Sequence, residues 1–107
     1  MLGKVVTVIV DRPLGTYHPK YKELFYSVNY GYVEGIIAAD GEEQDAYILG
    51  VNEPIKEFTG KVIAVIHRFD DAEEKWVVVP TGTSLTTEEI MRQVDFQERF
   101  FKIEISM

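Results

Sequence analysis

Cysteine is absent from this 107-residue sequence, and only two histidines occur in it. A chain without thiols forms no disulfide bond, no thiolate metal site and no cysteine nucleophile. The two histidines, His18 and His67, have no partner at a metal-binding spacing, and we interpret His67, which lies in an apolar segment, as structural. The lack of cysteine also agrees with a cytoplasmic location, which we expect for this protein.

Basic residues are few. Eleven lysines and arginines stand against 18 acidic residues, which gives a formal net charge of −7. An acidic domain repels the phosphate backbone of nucleic acids, so we expect no nucleic-acid partner. The same balance is compatible with hard cations such as Mg²⁺, which bind oxygen ligands. Charge alone does not separate metal binding from an acidic surface that only keeps the protein soluble.

The sequence has no hydrophobic run long enough to span a membrane. Residues 1–10 are apolar, but Asp11 and Arg12 interrupt them at about half the length that a transmembrane helix needs. This segment also lacks a basic leader and a small-residue cleavage site, so we expect neither a membrane anchor nor a secretory signal. The length suits a single domain over residues 1–107, whose modest core would gain stability from fusion or homo-oligomerisation.

Short segments rich in β-branched and aromatic residues alternate with turn signals along most of the chain. Such runs, when bounded by glycine, proline and aspartate, are typical of β-strands. The predicted extended segments are residues 4–11, 24–39, 46–51, 61–69 and 75–79. The stretches between them, including the acidic turn at 40–45, are predicted as loops.

The character of the sequence changes after Pro80. Thr86 and Glu89 have the spacing of a capping box, and apolar residues then recur at helical spacing, which predicts one helix over residues 87–101. Residues 102–107 are predicted to fray or to form a short strand. Several short strands followed by one helix indicate a mainly β fold, a small closed barrel with the helix packed on it. The periodicity does not distinguish a barrel from a sandwich.

Two acidic turns are separated by one predicted hairpin. The first contains Asp40, Glu42 and Asp45, and the second contains Asp70 and Glu73. If the flanking strands are neighbours, both turns open on one site, where carboxylates would hold divalent cations. Such cations neutralise a phosphoanhydride and lower the pKa of a bound water. Acidic turns are also common on solvated surfaces, and Asp-Gly is an ordinary turn signal, so the turns alone leave both interpretations open.

The context of the first acidic turn is more specific. Residues 29–32 (NYGY) precede residues 40–45 (DGEEQD). This arrangement resembles the core of the family I soluble inorganic pyrophosphatases, an Asn-Tyr-Gly-Tyr strand followed by an Asp-Gly-Asp-x-x-Asp loop. Residues 69–80 (FDDAEEKWVVVP) are similar to the next block of that family, in which an acid two residues before a lysine leads into a strand that ends in proline. Residues 100–102 (FFK) resemble its C-terminal Tyr-Lys pair.

The resemblance implies a five-stranded, OB-like barrel with a peripheral helix, and Mg²⁺-dependent hydrolysis of inorganic pyrophosphate to two phosphates, with Mn²⁺ as an alternative metal. It places the following residues at metal-ligand positions: Asp40, Glu42, Asp45, Asp70 and Glu73. Of these, Glu42 and Asp45 would be catalytic, because Glu42 falls where the family has a carboxylate that helps to activate the nucleophilic water. Tyr30, Lys75 and Lys102 fall at phosphate-contacting positions.

The sequence departs from the family pattern at several positions. Glu42 and Glu73 stand where the family has aspartate, and a carboxylate displaced by about 1 Å can lower a rate on the order of 100-fold. Phe101 replaces a tyrosine and cannot donate a hydrogen bond to phosphate. An early glutamate, a Lys-x-Glu pair and an arginine of the family have no aligned counterpart before Asn29, although Arg12 is among the nearby residues that offer a substitute.

Three hypotheses follow from these residues. The first is an active enzyme that hydrolyses pyrophosphate or a related small phosphoanhydride, and we favour it. The second is a non-catalytic or altered-substrate relative that binds metal and a phosphorylated small molecule. The third is a structural or OB-type interaction module, since a fold alone does not determine function.

Overall fold

A computed structural model describes residues 2–69 and 73–107 of the chain. The described residues form six strands and one helix. Their bounds are β1 (Val5–Arg12), β2 (Asn29–Ile37), β3 (Glu43–Ile48), β4 (Glu57–Arg68), β5 (Glu74–Val79), α1 (Thr87–Glu98) and β6 (Ile103–Ser106). The protein is therefore mainly β with a helix near its C-terminal end, as predicted.

Five of the strands close into a barrel. They follow the order β1-β2-β3-β5-β4, and β4 pairs back onto β1. Neighbouring strands are antiparallel except β3 and β5, which are parallel. β6 pairs with the last residues of β4, outside the ring of five. The predicted closed barrel is confirmed, and the sandwich that the periodicity left open is excluded.

Two groups of buried apolar side chains make up the core. One joins the barrel to α1 and includes Ile90 and Val94 of the helix. The other contains side chains from β1 to β5, such as Val8, Val62 and Val78. Successive residues of β5 belong to different groups, so both of its faces are buried. This explains why β5 is a continuous apolar run after Lys75 rather than an alternating pattern.

Gly31, in the middle of the NYGY segment, marks a close approach of two backbones. It pairs with Val10 across β1 and β2. A Cβ atom at this position would lie 1.9 Å from the carbonyl oxygen of Ile9, far inside any van der Waals contact. The glycine is therefore required by the packing of β2 against β1.

The helix begins where it was predicted to begin, but it ends earlier. Thr86 Oγ1 accepts a hydrogen bond from Glu89 N at 3.1 Å, and Glu89 Oε1 accepts one from Thr86 N at 2.8 Å, which is the predicted capping box. The predicted end at residue 101 is wrong, because α1 ends at Glu98. Phe101 N donates to the carbonyl of Glu98 just past the helix end. Phe69 N then donates to the carbonyl of Lys102, next to the pairing of β6 with β4.

Several strand boundaries also differ from the prediction. β2 begins at Asn29 rather than at residue 24, because Phe25 forms only an isolated bridge with Tyr17, and β3 ends at Ile48 rather than at residue 51. β4 begins at Glu57 rather than at residue 61, because residues 57–61 pair with β1. β3 begins at Glu43, inside the predicted acidic turn, where Glu43 pairs with Ile37 of β2. Gly41 makes the remaining turn tight, with a φ of 85°. Within residues 2–69 and 73–107, no helix is both long and apolar enough to cross a membrane.

Candidate functional site

A buried lysine lies between two of the predicted metal-ligand carboxylates. The parallel pairing of β3 and β5 places Ala46 opposite Trp76, which brings Asp45 next to Lys75. Lys75 Nζ donates hydrogen bonds to Asp45 Oδ2 at 2.5 Å and to Glu73 Oε1 at 2.9 Å. The Lys75 side chain is only 4% exposed, whereas those of Asp45 and Glu73 are 37% and 34% exposed. The ammonium group is thus buried, and its charge is balanced by carboxylates that still reach solvent.

Lys75 and Tyr30 both keep their protons at neutral pH. Burial by itself lowers the pKa of Lys75, but Tyr30 and the carboxylates of Asp45 and Glu73 outweigh it, so that the pKa is raised above its ordinary value. The Tyr30 ring centroid lies 5.8 Å from Lys75 Nζ, and burial raises the pKa of the Tyr30 hydroxyl, although Lys75 opposes this effect. Both groups are therefore hydrogen-bond donors of the kind that hold phosphate oxygens.

Arg68 and Glu98 form a buried ion pair next to Glu73. Arg68 Nε donates to Glu98 Oε1 at 2.9 Å, and Arg68 Nη2 donates to Glu98 Oε2 at 2.6 Å. The two side chains are 6% and 1% exposed. Arg68 Nη1 also lies 3.5 Å from Glu73 Oε2. Since Glu73 binds Lys75 through its other oxygen, Oε1, the arginine and the lysine are linked through one carboxylate.

The helix and the core tyrosines extend this network. The hydroxyl of Tyr47 donates to Glu98 Oε2 at 2.5 Å, and Gln97 Nε2 donates to the Tyr47 hydroxyl at 2.7 Å. The hydroxyl of Tyr26 donates to Gln97 Oε1 at 2.9 Å. Burial, and then the charge of Glu98, raise the pKa of Tyr47 well above its usual value. Every buried side-chain nitrogen and oxygen in the described part of the chain has a hydrogen-bond partner, so the network is complete and rigid.

A cleft of about 920 Å³ opens beside the network. Tyr30, Asp45, Arg68 and Lys75 all line it, together with Arg12 at the end of β1. The remaining lining residues are Asp11 of β1 and residues from the loop before β2, the last turn of α1 and the segment after it. Two of the three predicted phosphate contacts therefore face one cleft, with one of the predicted metal ligands. Arg12, which was among the substitutes considered for a missing basic residue, lines the same cleft.

A second, smaller pocket of about 160 Å³ contains the acidic residues. Asp40, Asp45 and Glu73 line it with Glu43 and Glu74. Asp45 lines both this pocket and the large cleft. Three of the five predicted metal ligands therefore lie around one pocket. Two of them, Asp45 and Glu73, are the carboxylates that Lys75 binds.

The other predicted site residues lie elsewhere or are not described. Glu42 and Lys102 are exposed, and neither lines the cleft or the small pocket. The backbone of Glu42 donates to Asp40 Oδ1 at 3.0 Å, which fixes the turn. Asp70 lies outside the described residues. Phe101, where the pyrophosphatase pattern has tyrosine, packs its ring against the Arg68 guanidinium, whose Cζ is 3.7 Å from the ring centroid.

The small pocket offers oxygen ligands of the kind that a divalent cation binds. The carboxylates of Asp40, Asp45 and Glu73 are the hard oxygen ligands that Mg²⁺ and Mn²⁺ prefer, so the chemistry of the small pocket fits such an ion. Over residues 2–69 and 73–107, however, no three histidine, aspartate or glutamate side chains come together closely enough to form a metal site. The ammonium of Lys75 binds two of the carboxylates in this arrangement.

Arg68, Gln97 and Glu98 were not predicted from the sequence to have a role in the site. A signal for Arg68 was present, because an arginine that follows an apolar strand is a candidate for a buried charge, which must be paired. The partner was not predictable from spacing, since Glu98 is 30 residues away and lies in a different element.

No family sequence model and no curated protein matches the chain, but solved structures do. The inorganic pyrophosphatase from Ehrlichia chaffeensis has a TM-score of 0.73 and 14% identity over 99% of this chain and 87% of that one. The corresponding enzyme from Coxiella burnetii has a TM-score of 0.68 and 15% identity over 99% and 86%, and that from Neisseria gonorrhoeae has 0.65 and 20% over 88% and 72%. The chain therefore has the fold of the family I inorganic pyrophosphatases.

Proposed function

We propose that this protein hydrolyses inorganic pyrophosphate, or a related small phosphoanhydride, in a reaction that depends on Mg²⁺ or Mn²⁺. The observation that carries the proposal is that Tyr30, Asp45 and Lys75 line one cleft. Lys75 also binds Glu73, which lines the adjoining small pocket with Asp45. The similarity of the fold to those of inorganic pyrophosphatases is the second support for the proposal.

The donors of the cleft would hold the phosphates. The ammonium of Lys75 and the hydroxyl of Tyr30 donate hydrogen bonds to phosphate oxygens, and the positive charge of Lys75 offsets the charge that develops on the leaving group. Lys102 is the third proposed phosphate contact. In the reaction, a water oxygen bonds to one phosphorus while the bond from that phosphorus to the bridging oxygen breaks, and two orthophosphates result.

The acidic residues would serve the metal and the water. Asp40, Asp45 and Glu73 would hold Mg²⁺ or Mn²⁺, with Glu42 and Asp70 as the further proposed ligands. The ion, when bound, supplies charge neutralisation and lowers the pKa of a water molecule. Glu42 and Asp45 are the carboxylates proposed to accept the proton of the attacking water.

The direct test is phosphate release from pyrophosphate in the presence of Mg²⁺ or Mn²⁺. We expect turnover by the wild type and none by Asp45→Asn, because this change removes the negative charge that Lys75 and the metal both require. Glu34→Gln is the control, since it removes one negative charge at an exposed position of β2 and should keep full activity. A folded wild-type protein that releases no phosphate with either metal would refute the proposal.

A second candidate function is favoured by the ion pairs of Lys75. Because its ammonium binds both Asp45 and Glu73, and because Glu42 lies outside the two pockets, the chain is suited to be a non-catalytic relative that binds metal and a phosphorylated small molecule. Calorimetry with Mg²⁺ and methylenediphosphonate, which cannot be hydrolysed at its bridge, tests this alternative. Heat of binding without pyrophosphate turnover would support it, and a silent titration would eliminate it.

A further inference from the structure

The side chains that line the large cleft fall into two chemically different sets. Lys75, Arg68 and Tyr30 carry N–H and O–H groups, and Lys75 binds Asp45. The second set, the aromatic region, includes Tyr21, Phe25 and Phe100, which are 54%, 42% and 70% exposed. Free pyrophosphate is a small and wholly polar ion, so it has no use for the aromatic region.

The volume of the cleft also indicates a ligand larger than pyrophosphate. About 920 Å³ is the size of a pocket that encloses a drug-sized ligand, for which the usual range is roughly 300–1,000 Å³. Such a pocket is expected to be mostly apolar, with a few polar groups that fix the ligand's orientation. The cleft has this composition, because polar side chains of the buried network and several aromatic side chains both line it.

The aromatic region is held in place before any ligand binds. His18 Nδ1 accepts hydrogen bonds from the backbone N–H groups of Lys20 and Tyr21 at 3.0 and 3.1 Å. The His18 ring contacts that of Tyr21, with centroids 5.0 Å apart, and it stacks on Tyr26 with centroids 6.4 Å apart. Because these contacts hold the loop, it is preorganised, and a ligand would not have to supply the free energy needed to order its rings.

Phe100 and Phe101 differ in a way that points to a ligand. The Arg68 guanidinium covers Phe101, whereas in the described part of the chain no ring or cation stacks on Phe100, which remains 70% exposed beside the cleft. Aromatic side chains in this position bind nucleobases by stacking, because every base has a flat π-face.

We propose that the cleft binds a phosphoanhydride that carries a planar aromatic base, namely a nucleoside diphosphate, with its phosphates at Lys75 and Tyr30 and its base at Phe100 and Phe25. This inference rests on the proposed function, because the phosphate end uses the same donors. Hydrolysis would then add water to the terminal phosphorus, break its bond to the bridging oxygen and release a nucleoside monophosphate and orthophosphate.

Calorimetry with two non-hydrolysable probes tests the inference. Methylenediphosphonate has only the phosphate end, and α,β-methylene adenosine diphosphate has the same end with a base attached. With Mg²⁺ present, we expect the nucleotide analogue to bind wild type about tenfold more tightly, as one base–aromatic stack provides. Phe100→Ala should remove that advantage without changing the affinity for methylenediphosphonate, and Phe100→Tyr, which keeps a ring, should retain it.

Met91→Ala is the matched control, because Met91 is another exposed apolar side chain of the same helical region and does not line the cleft. It should alter neither affinity. If both probes bind wild type equally, or if Phe100→Ala leaves the nucleotide analogue unaffected, the base site is refuted while the phosphate site stands. If neither probe binds, the phosphoanhydride function itself is refuted, and the inference that rests on it fails as well.

Discussion

Truncation of Glu98 should be the most damaging single change in the network that supports the site. In Glu98→Ala, the guanidinium of Arg68 loses two hydrogen bonds at 2.9 and 2.6 Å, and the Tyr47 hydroxyl loses its acceptor. Removal of one partner of a buried ion pair costs about 3–5 kcal/mol. Because Arg68 keeps its longer contact with Glu73, we expect about 3 kcal/mol, or a decrease in Tm of about 12 °C for a domain of this size.

Urea unfolding followed by circular dichroism measures this free energy, and the exposed pair on the same helix provides the control. Asp95→Ala breaks an i,i+4 contact of 2.9 Å with Arg99 in which both side chains are more than half exposed, and such a pair contributes about 0.3–0.5 kcal/mol. The double change of Arg68→Met with Glu98→Leu should recover most of the loss, because it leaves no unpaired buried charge. If Glu98→Ala costs no more than Asp95→Ala, the buried pair does not hold the site together and the reasoning is refuted.

Three further predictions concern the barrel, the helix and the buried phenols. Gly31→Ala should destabilise the fold by about 3 kcal/mol or more, because its Cβ would overlap a β1 carbonyl oxygen; wild-type urea stability would contradict this. Thr86→Ala should cost about 1 kcal/mol through loss of the helix cap, which thermal unfolding would detect as a lower Tm. Burial raises the pKa values of Tyr26, Tyr30 and Tyr47 in the folded protein above the ordinary value of 10.0. The free energy of unfolding should therefore fall as the pH rises above 10.0, because the unfolded chain loses these protons more readily. Tyrosinate absorbance from the three residues should then appear together with unfolding. A tyrosinate signal from these residues in the folded protein would contradict the last prediction.

Local signals were sufficient for much of the fold. The capping box at Thr86 is a contact between near neighbours in sequence, and it was predictable because it depends on spacing alone. The runs that became β1 and β5 were also predictable, since β-branched residues and bounding turns are local properties. The errors lie where pairing adds residues that have no strong preference of their own. Residues 57–60 became part of β4 only because β1 lies beside them.

The candidate site was predictable only in part, because its geometry depends on contacts distant in sequence. The resemblance to pyrophosphatases selected Asp45, Glu73 and Lys75, and the structure brings these three together. It could not show that the lysine would bind both carboxylates, since that depends on the buried position of Lys75 on β5. The resemblance also could not predict where the Glu42 side chain lies, because its direction depends on the backbone geometry of the tight turn at Gly41.

The parallel pairing of β3 with β5 is the element on which the site depends most. An antiparallel neighbour would be expected for β3 if the strands simply followed one another as hairpins, and Asp45 would then lie opposite a different residue. The parallel register instead sets Ala46 against Trp76, so that Asp45 and Lys75, 30 residues apart, begin their strands side by side. β3 and β5 therefore begin at the same end of the barrel, where β4 ends and Arg68 meets Glu98 of α1. Carboxylates and cations that are distant in sequence converge there because of this strand topology.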